Sequence, residues 1–116
     1  VALGTKTSGI ITNDEELGTA LVDAGKRAGE SLFVLPSLPE LKEAIKSEVA
    51  DLKNSAGRYG SCITGGLFIG EFITEGTPWA HIDIGGTSTV TETKGIKSVG
   101  GTAFGTMTLI RLAGDF

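Results

Sequence analysis

Apolar and polar residues alternate in blocks along this chain, and the period changes from block to block. Ile10 and Ile11 close a short apolar stretch, and the polar run Thr12-Asn13-Asp14-Glu15-Glu16 follows at once. Asn13 as N-cap with Glu16 three residues on reads as a capping box. The acidic run suits a helix N-terminus, where unpaired N–H groups and the helix dipole favour negative charge. Leu17, Leu21 and Ala24 recur at helical spacing, Lys26 and Arg27 fall in the last turn, and Gly29 is the stop. Ser31 to Leu35 predicts a short strand ended by Pro36. A second helix is expected next, with Ser37 and Glu40 as capping box and Pro39 in its first turn. Leu41, Ile45, Val49 and Leu52 form its apolar stripe, and Lys42, Glu43, Lys46 and Glu48 its solvated face.

Asn54 to Ser61 is a polar, glycine-containing loop. Cys62 to Ile73 is apolar and long for a strand, so helix is expected, with Gly66 and Gly70 allowing close approach to a neighbour. Trp79 to Ile84 predicts a strand closed by Gly85-Gly86. Thr87 to Lys97 is threonine-rich and irregular. A second glycine-rich turn, Gly100 to Gly105, leads into a terminal helix through Leu109, Ile110 and Leu112. Helices alternating with short apolar strands indicate an α/β or α/β/α domain without internal repeats.

A chain of 116 residues is one domain and not two. Its 40% hydrophobic and 21% charged residues belong to globular chains, and a core is possible without disulfides. A net charge of -4 without a basic block argues against a nucleic-acid surface. Cys62 is the one cysteine, so neither a disulfide framework nor a thiolate zinc site is available, and a reducing compartment is expected. The apolar runs are too short to span a bilayer, and Val1 to Leu3 lack the basic and apolar regions of a signal peptide. Among the 18 glycines, Gly57 and Gly60, Gly65 and Gly66, Gly85 and Gly86, and Gly100 and Gly101 sit in pairs between apolar segments, which points to tight turns and close backbone contacts.

Three features could carry chemistry. His81 and Asp83, two apart on one strand, face the same side, and with Cys62 they sketch a Cys-His-Asp nucleophile system. The plainer reading is preferred: Cys62 as a buried helix residue and His81 as a hydrogen-bonded strand residue. Two donors also fall short of the three or four that zinc requires. The loops Gly85-Gly86-Thr87-Ser88 and Gly100-Gly101-Thr102 could cradle an anion with free N–H groups, but neither fits a Walker A pattern, and a bare turn role is preferred. Glu71, Glu75 and Asp51 read as ordinary charges on helices or helix ends.

Three stretches in order resemble the C-terminal third of the M17 leucyl aminopeptidases. Ala50-Asp51-Leu52-Lys53-Asn54 through Gly57-Arg58 is similar to the family's A-D-x-x-N-x-G-G-R. Thr64 to Phe72 resembles T-A-A-x-F-L-x-x-F. Pro78 to Thr87, PWAHIDIGGT, resembles P-W-A-H-L-D-I-A-G-T. Ala2-Leu3-Gly4 and Thr12-Asn13 fit the stretch after T-L-T-G, and Thr102 to Leu109 fits the closing helix, so nearly all of the chain is spanned. The resemblance implies part of a three-layer α/β/α domain with a mixed sheet. It also implies a cytoplasmic enzyme that removes N-terminal residues from peptides with two divalent metal ions, zinc or manganese, and assembles as a homo-oligomer, typically a hexamer.

The family's metal ligands lie in a lysine-and-aspartate segment and an N-T-D-A-E-G-R motif, both before the point that matches Val1. No residue here matches them, so the resemblance transfers no catalytic and no metal role, and residues 1–116 alone are expected to be an inactive, incomplete domain. It does transfer pocket wall. Gly85, Gly86, Thr87 and Ser88 fall on the loop that lines the pocket for the substrate's first side chain, and Ser55 borders the next subsite. Departures lie at the same places. D-I-A-G-T-A is Asp83-Ile84-Gly85-Gly86-Thr87-Ser88 here, and N-x-G-G is Asn54-Ser55-Ala56-Gly57. K-G-A-T-G-F-G-V-R is Val99-Gly100-Gly101-Thr102-Ala103-Phe104-Gly105-Thr106-Met107, without either basic residue. The alternative is a non-catalytic packing and assembly module, or a relative that has lost its metals. Some family members also bind DNA, which the acidic balance of this segment opposes. Cut from a larger sheet, the segment is expected to self-associate or repack.

Overall fold

In the computed structural model, which describes residues 2–116, the strand β1 (Thr7–Thr12) is buried on both sides, and its alternating side chains meet different helices. Ile10 points one way, into a cluster with Leu21, Leu32 and Phe104, against which Ala80, Ile82 and Leu112 pack. Ile11 points the other way and sits against Gly66. Both isoleucines are fully buried, and each contributes about 1.5–3 kcal/mol by leaving water.

The helix α1 (Glu15–Ala28) carries the chain to β2 (Ser31–Val34). β2 lies parallel to β1, as a crossover of this length permits. On the far side of β1 lies β3 (Ala80–Asp83), antiparallel, with Ile10 opposite Ile82 and Gly9 opposite Asp83. The order β2-β1-β3 is thus a mixed sheet. α1 and the terminal helix α3 (Thr106–Gly114) cover one face, and α2 (Ser61–Gly70) covers the other, which gives the expected α/β/α layers. A short ribbon, β4 (Thr89–Val90) with β5 (Gly100–Gly101), stands apart from the sheet. Among the described residues no strand pairs with the outer edge of β2, where Phe33 is 58% exposed.

Two expectations are corrected. The N-cap of α1 is Asp14, whose carboxylate accepts from the Leu17 amide at 2.7 Å. Asn13 instead bridges to the segment that leads into the neighbouring β3: its Nδ2 donates to Thr77 O at 3.0 Å and its Oδ1 accepts from Trp79 N at 2.8 Å. Of these two neighbours only the Asn13 amide can donate as well as accept, so the Asp14 carboxylate is left for the cap.

The second helix is a 3-10 helix over Pro39–Ile45, with Leu38 in the left-handed region at φ 41 and no side-chain cap from Ser37. Ile45 is buried, but Val49, expected on the same stripe, is 97% exposed. The Ser47 hydroxyl accepts from the amides of Val49 and Ala50, and Lys53 N donates to Ile45 O at 2.7 Å. These local bonds replace the next helical turn. By contrast, the glycines of α2 act as expected. A Cβ on Gly66 would lie 2.6 Å from Ile11 Cβ, and one on Gly70 2.6 Å from the Trp79 ring.

Candidate functional site

The loop that leaves β3 is held from several sides. Thr87 and Ser88 both donate their amides to Ile84 O, at 3.1 and 2.9 Å, and Gly85 N donates to Asp83 Oδ1 at 2.9 Å. The Thr87 hydroxyl lies 2.7 Å from that of Ser8 on β1, and both side chains are buried. Gly86 packs against the backbone of Gly4, whose carbonyl oxygen would clash with an added Cβ. Gly85 is far less confined, since a Cβ there would meet Asp83 Oδ1 at 3.1 Å and nothing else within 4 Å. Thr102 joins from the second glycine-rich turn, its hydroxyl donating to Thr87 O at 2.6 Å and its amide to Ser88 O at 2.8 Å. With the amides of Gly85, Thr87 and Ser88 bonded internally, this loop is the structural turn preferred above.

The second glycine-rich turn does precede a helix N-terminus that binds an anion, and the anion belongs to the protein. One Glu30 oxygen accepts from Gly105 N at 2.8 Å. The other accepts from Thr108 N at 2.8 Å and from the Thr108 hydroxyl at 2.7 Å. A carboxylate suits the positive end of α3. Glu30 was not singled out from the sequence, because its partners lie 75 and 78 residues away. Between Thr102 and Phe104, Ala103 sits at φ 53, a conformation that costs a residue with a Cβ about 1–2 kcal/mol. Ala103→Gly is therefore expected to raise stability by about 1 kcal/mol, less the extra entropy glycine loses on folding. Urea unfolding of the two chains checks this, and a lower midpoint for the variant would refute it.

Cys62, His81 and Asp83 do come together on the α2 face of the sheet, but not as a nucleophile system. The negative charge of the neighbouring Asp83 holds the proton on the Cys62 sulfur instead of activating it. A methyl group built on Gly65 would sit 3.8 Å from His81 Nε2. Burial first, then the negative charge of Asp83 and its hydrogen bond, push the thiol pKa from 9.0 up to about 11. The thiolate is the reactive form, so below pH 9 alkylation of the folded chain is expected to be about 100-fold slower than of the unfolded chain. The difference should close as pH rises through about 11. Equal rates with iodoacetamide at pH 8 would refute this. Among the described residues no three His, Cys, Asp or Glu side chains cluster so as to hold a metal ion.

Ser55 lies in a separate small cleft of about 100 Å³ with Asn54, Ile45, Ser61 and Thr64. Ser61 and Thr64 belong to the first turns of α2, as does Cys62 beside Asp83. The two expected wall segments therefore flank the same end of one helix. A larger open cleft of about 440 Å³ lies at the other end of α2, beside Lys42, Glu71 and Trp79, and holds none of the expected residues. Lys42 and Glu71 pair there at 3.2 Å.

Comparison with known proteins bears on this arrangement. Residues 1–110 match the cytosol aminopeptidase family, catalytic domain. The chain is 53% identical over 113 residues to a probable cytosol aminopeptidase of Alkaliphilus metalliredigens, covering 97% of this chain and 22% of that protein. The bottromycin maturation enzyme BotP in complex with Mn superposes with a TM-score of 0.88 at 38% identity, over 96% of this chain and 25% of that one. The cytosol aminopeptidase of Coxiella burnetii superposes with a TM-score of 0.86 at 32% identity, over 99% and 25%. The chain thus spans about a quarter or less of the length of these relatives.

Proposed function

This chain belongs to the cytosol aminopeptidase family, and from that premise we propose that it forms the C-terminal part of the catalytic domain of a leucyl aminopeptidase. The reaction is removal of N-terminal residues from peptides. The observation that carries this reading is the family match over residues 1–110, which includes the Trp79 to Thr87 string on β3 and its loop. On this reading Gly85, Gly86, Thr87 and Ser88 form wall for the substrate's first side chain, and Ser55 borders the next subsite. The methyl group missing at Gly85 would leave that wall more room than the family's alanine.

Two divalent ions, manganese or zinc, would bind the terminal amine and activate water in the whole enzyme. Residues 1–116 contribute none of their ligands, so this segment is inactive alone. The manganese in the BotP complex is in keeping with such chemistry. Assembly as a homo-oligomer, a hexamer by family pattern, would cover apolar residues left half-exposed here, such as Phe33, Leu109 and Ile110. A cytoplasmic location agrees with the relatives' name and with a single half-buried free cysteine. Among the described residues no helix is long and apolar enough to cross a membrane, and the acidic balance speaks against nucleic-acid contact through this segment.

The longer protein implied by this reading is expected to hydrolyse a leucyl anilide, to lose that activity to a chelator, and to regain it with manganese or zinc. A metal-replete protein that stays inert would favour the non-catalytic assembly module instead.

A further inference from the structure

We infer that Thr102 is a positioning residue for substrate selection, because it clamps the carbonyls of Thr87 and Ser88 and so fixes the loop 85–88. The inference rests on the reading of that loop as pocket wall.

The geometry gives Thr102 two grips on consecutive residues. Its hydroxyl donates to Thr87 O at 2.6 Å, and its amide donates to Ser88 O at 2.8 Å. The same hydroxyl oxygen accepts from Phe104 N at 3.2 Å, which ties the clamp to a side chain in the core. Ala103, in the left-handed region, makes the reversal that turns Thr102 toward the loop while Phe104 enters the core. Behind it, Glu30 fastens Gly105 and Thr108 to the end of α1. On the loop's other side the Thr87 hydroxyl is held by Ser8 of β1. The wall is thus fixed from both flanks: by β1 through one side chain, and by the 102–108 segment through the main chain. No part of Thr102 itself lies in the loop it fixes. A pocket of set width discriminates between side chains that differ by a methylene or two. A loop freed of one anchor adapts to each substrate and discriminates less.

The test uses the whole aminopeptidase with Thr102→Ala and Thr102→Ser. Hydrogen exchange over residues 84–90 reads the clamp, and the ratio of kcat/KM for leucyl and alanyl anilides reads its consequence. Thr102→Ala is expected to speed exchange in 84–90 by about fivefold to tenfold, as for loss of one hydrogen bond, with α1 unchanged as the sign of an intact fold. The leucyl preference should fall by a similar factor, through KM and not kcat, and Thr102→Ser should restore both. Unchanged exchange would overturn the clamp. Faster exchange with unchanged preference, or a uniform fall in kcat, would overturn its part in selection. Faster exchange in Thr102→Ala, with a wild type that is inert toward both substrates, would overturn the aminopeptidase reading, and the selection role with it, while leaving the clamp itself established.

Discussion

Gly66→Val is expected to destabilise the fold by about 3 kcal/mol or more, while Gly65→Ala, its neighbour in the same helix, is neutral to slightly stabilising. At Gly66 even a single Cβ would stand 2.6 Å from Ile11 Cβ and 2.8 Å from both of its γ carbons. Ile11 is fully buried on β1 and cannot retreat, because the other face of that strand is packed by Ile10, Leu21 and Phe104. α2 would have to lift from the sheet, taking with it the contacts of Cys62 and Thr64. A loss of this size is a large share of the roughly 5–15 kcal/mol that holds a domain together. At Gly65 an added methyl meets only His81 Nε2 at 3.8 Å, an ordinary contact, and alanine's helix propensity offers up to about 1 kcal/mol. Urea midpoints for both variants decide the matter. A Gly66→Val chain within about 0.5 kcal/mol of the parent would show that α2 does not press on β1 as described.

Gly86→Ala is the substitution expected to do most harm to activity in the whole enzyme, about a 100-fold loss in kcat/KM. Its Cβ would clash with the Gly4 carbonyl oxygen, which is backbone and cannot swing aside. The loop must then move outward, and the Thr87–Ser8 bond and both Thr102 bonds lengthen with it. Gly85→Ala is the control. Its methyl group meets only the Asp83 carboxylate, at 3.1 Å, and rotation of that side chain can absorb the approach. It is expected to keep activity within about tenfold of the parent and to favour smaller first side chains, as loss of room for a methylene implies. Steady-state kinetics on leucyl and alanyl substrates separate the two. Equal, mild effects at both positions would mean that the loop is not held against Gly4.

What the sequence reveals and what it hides differ in physical kind. The α1 helix is legible because its signals are local: acidic first turn, basic last turn, and Gly29 in the left-handed region at φ 73. The choice between Asn13 and Asp14 as cap is not, because it depends on the backbone at Thr77 and Trp79, more than sixty residues on. The second helix has a good stripe in Leu41, Ile45, Val49 and Leu52, yet Ser47 turns its hydroxyl on the following amides and ends it early. Gly66 and Gly70 are legible as contact glycines, since nothing else explains their spacing in an apolar helix, though not their partners Ile11 and Trp79. At the candidate site the loop 85–88 is found through the Trp79 to Thr87 string. Of its supports, Thr102 stands out in the sequence only as part of a glycine-rich turn, while Ser8 and Glu30 are ordinary polar residues, and all three acquire their roles through long-range contacts.

The central claim, that these residues supply substrate wall to a metal-dependent aminopeptidase and none of its metal chemistry, is tested most directly on the purified 116-residue chain itself. It is assayed for hydrolysis of a leucyl chromogenic amide with manganese or zinc added. The account predicts no turnover under conditions where the longer protein is active. Metal-dependent turnover that survives repurification would contradict it, and would move the search for the active site to His81 and Asp83.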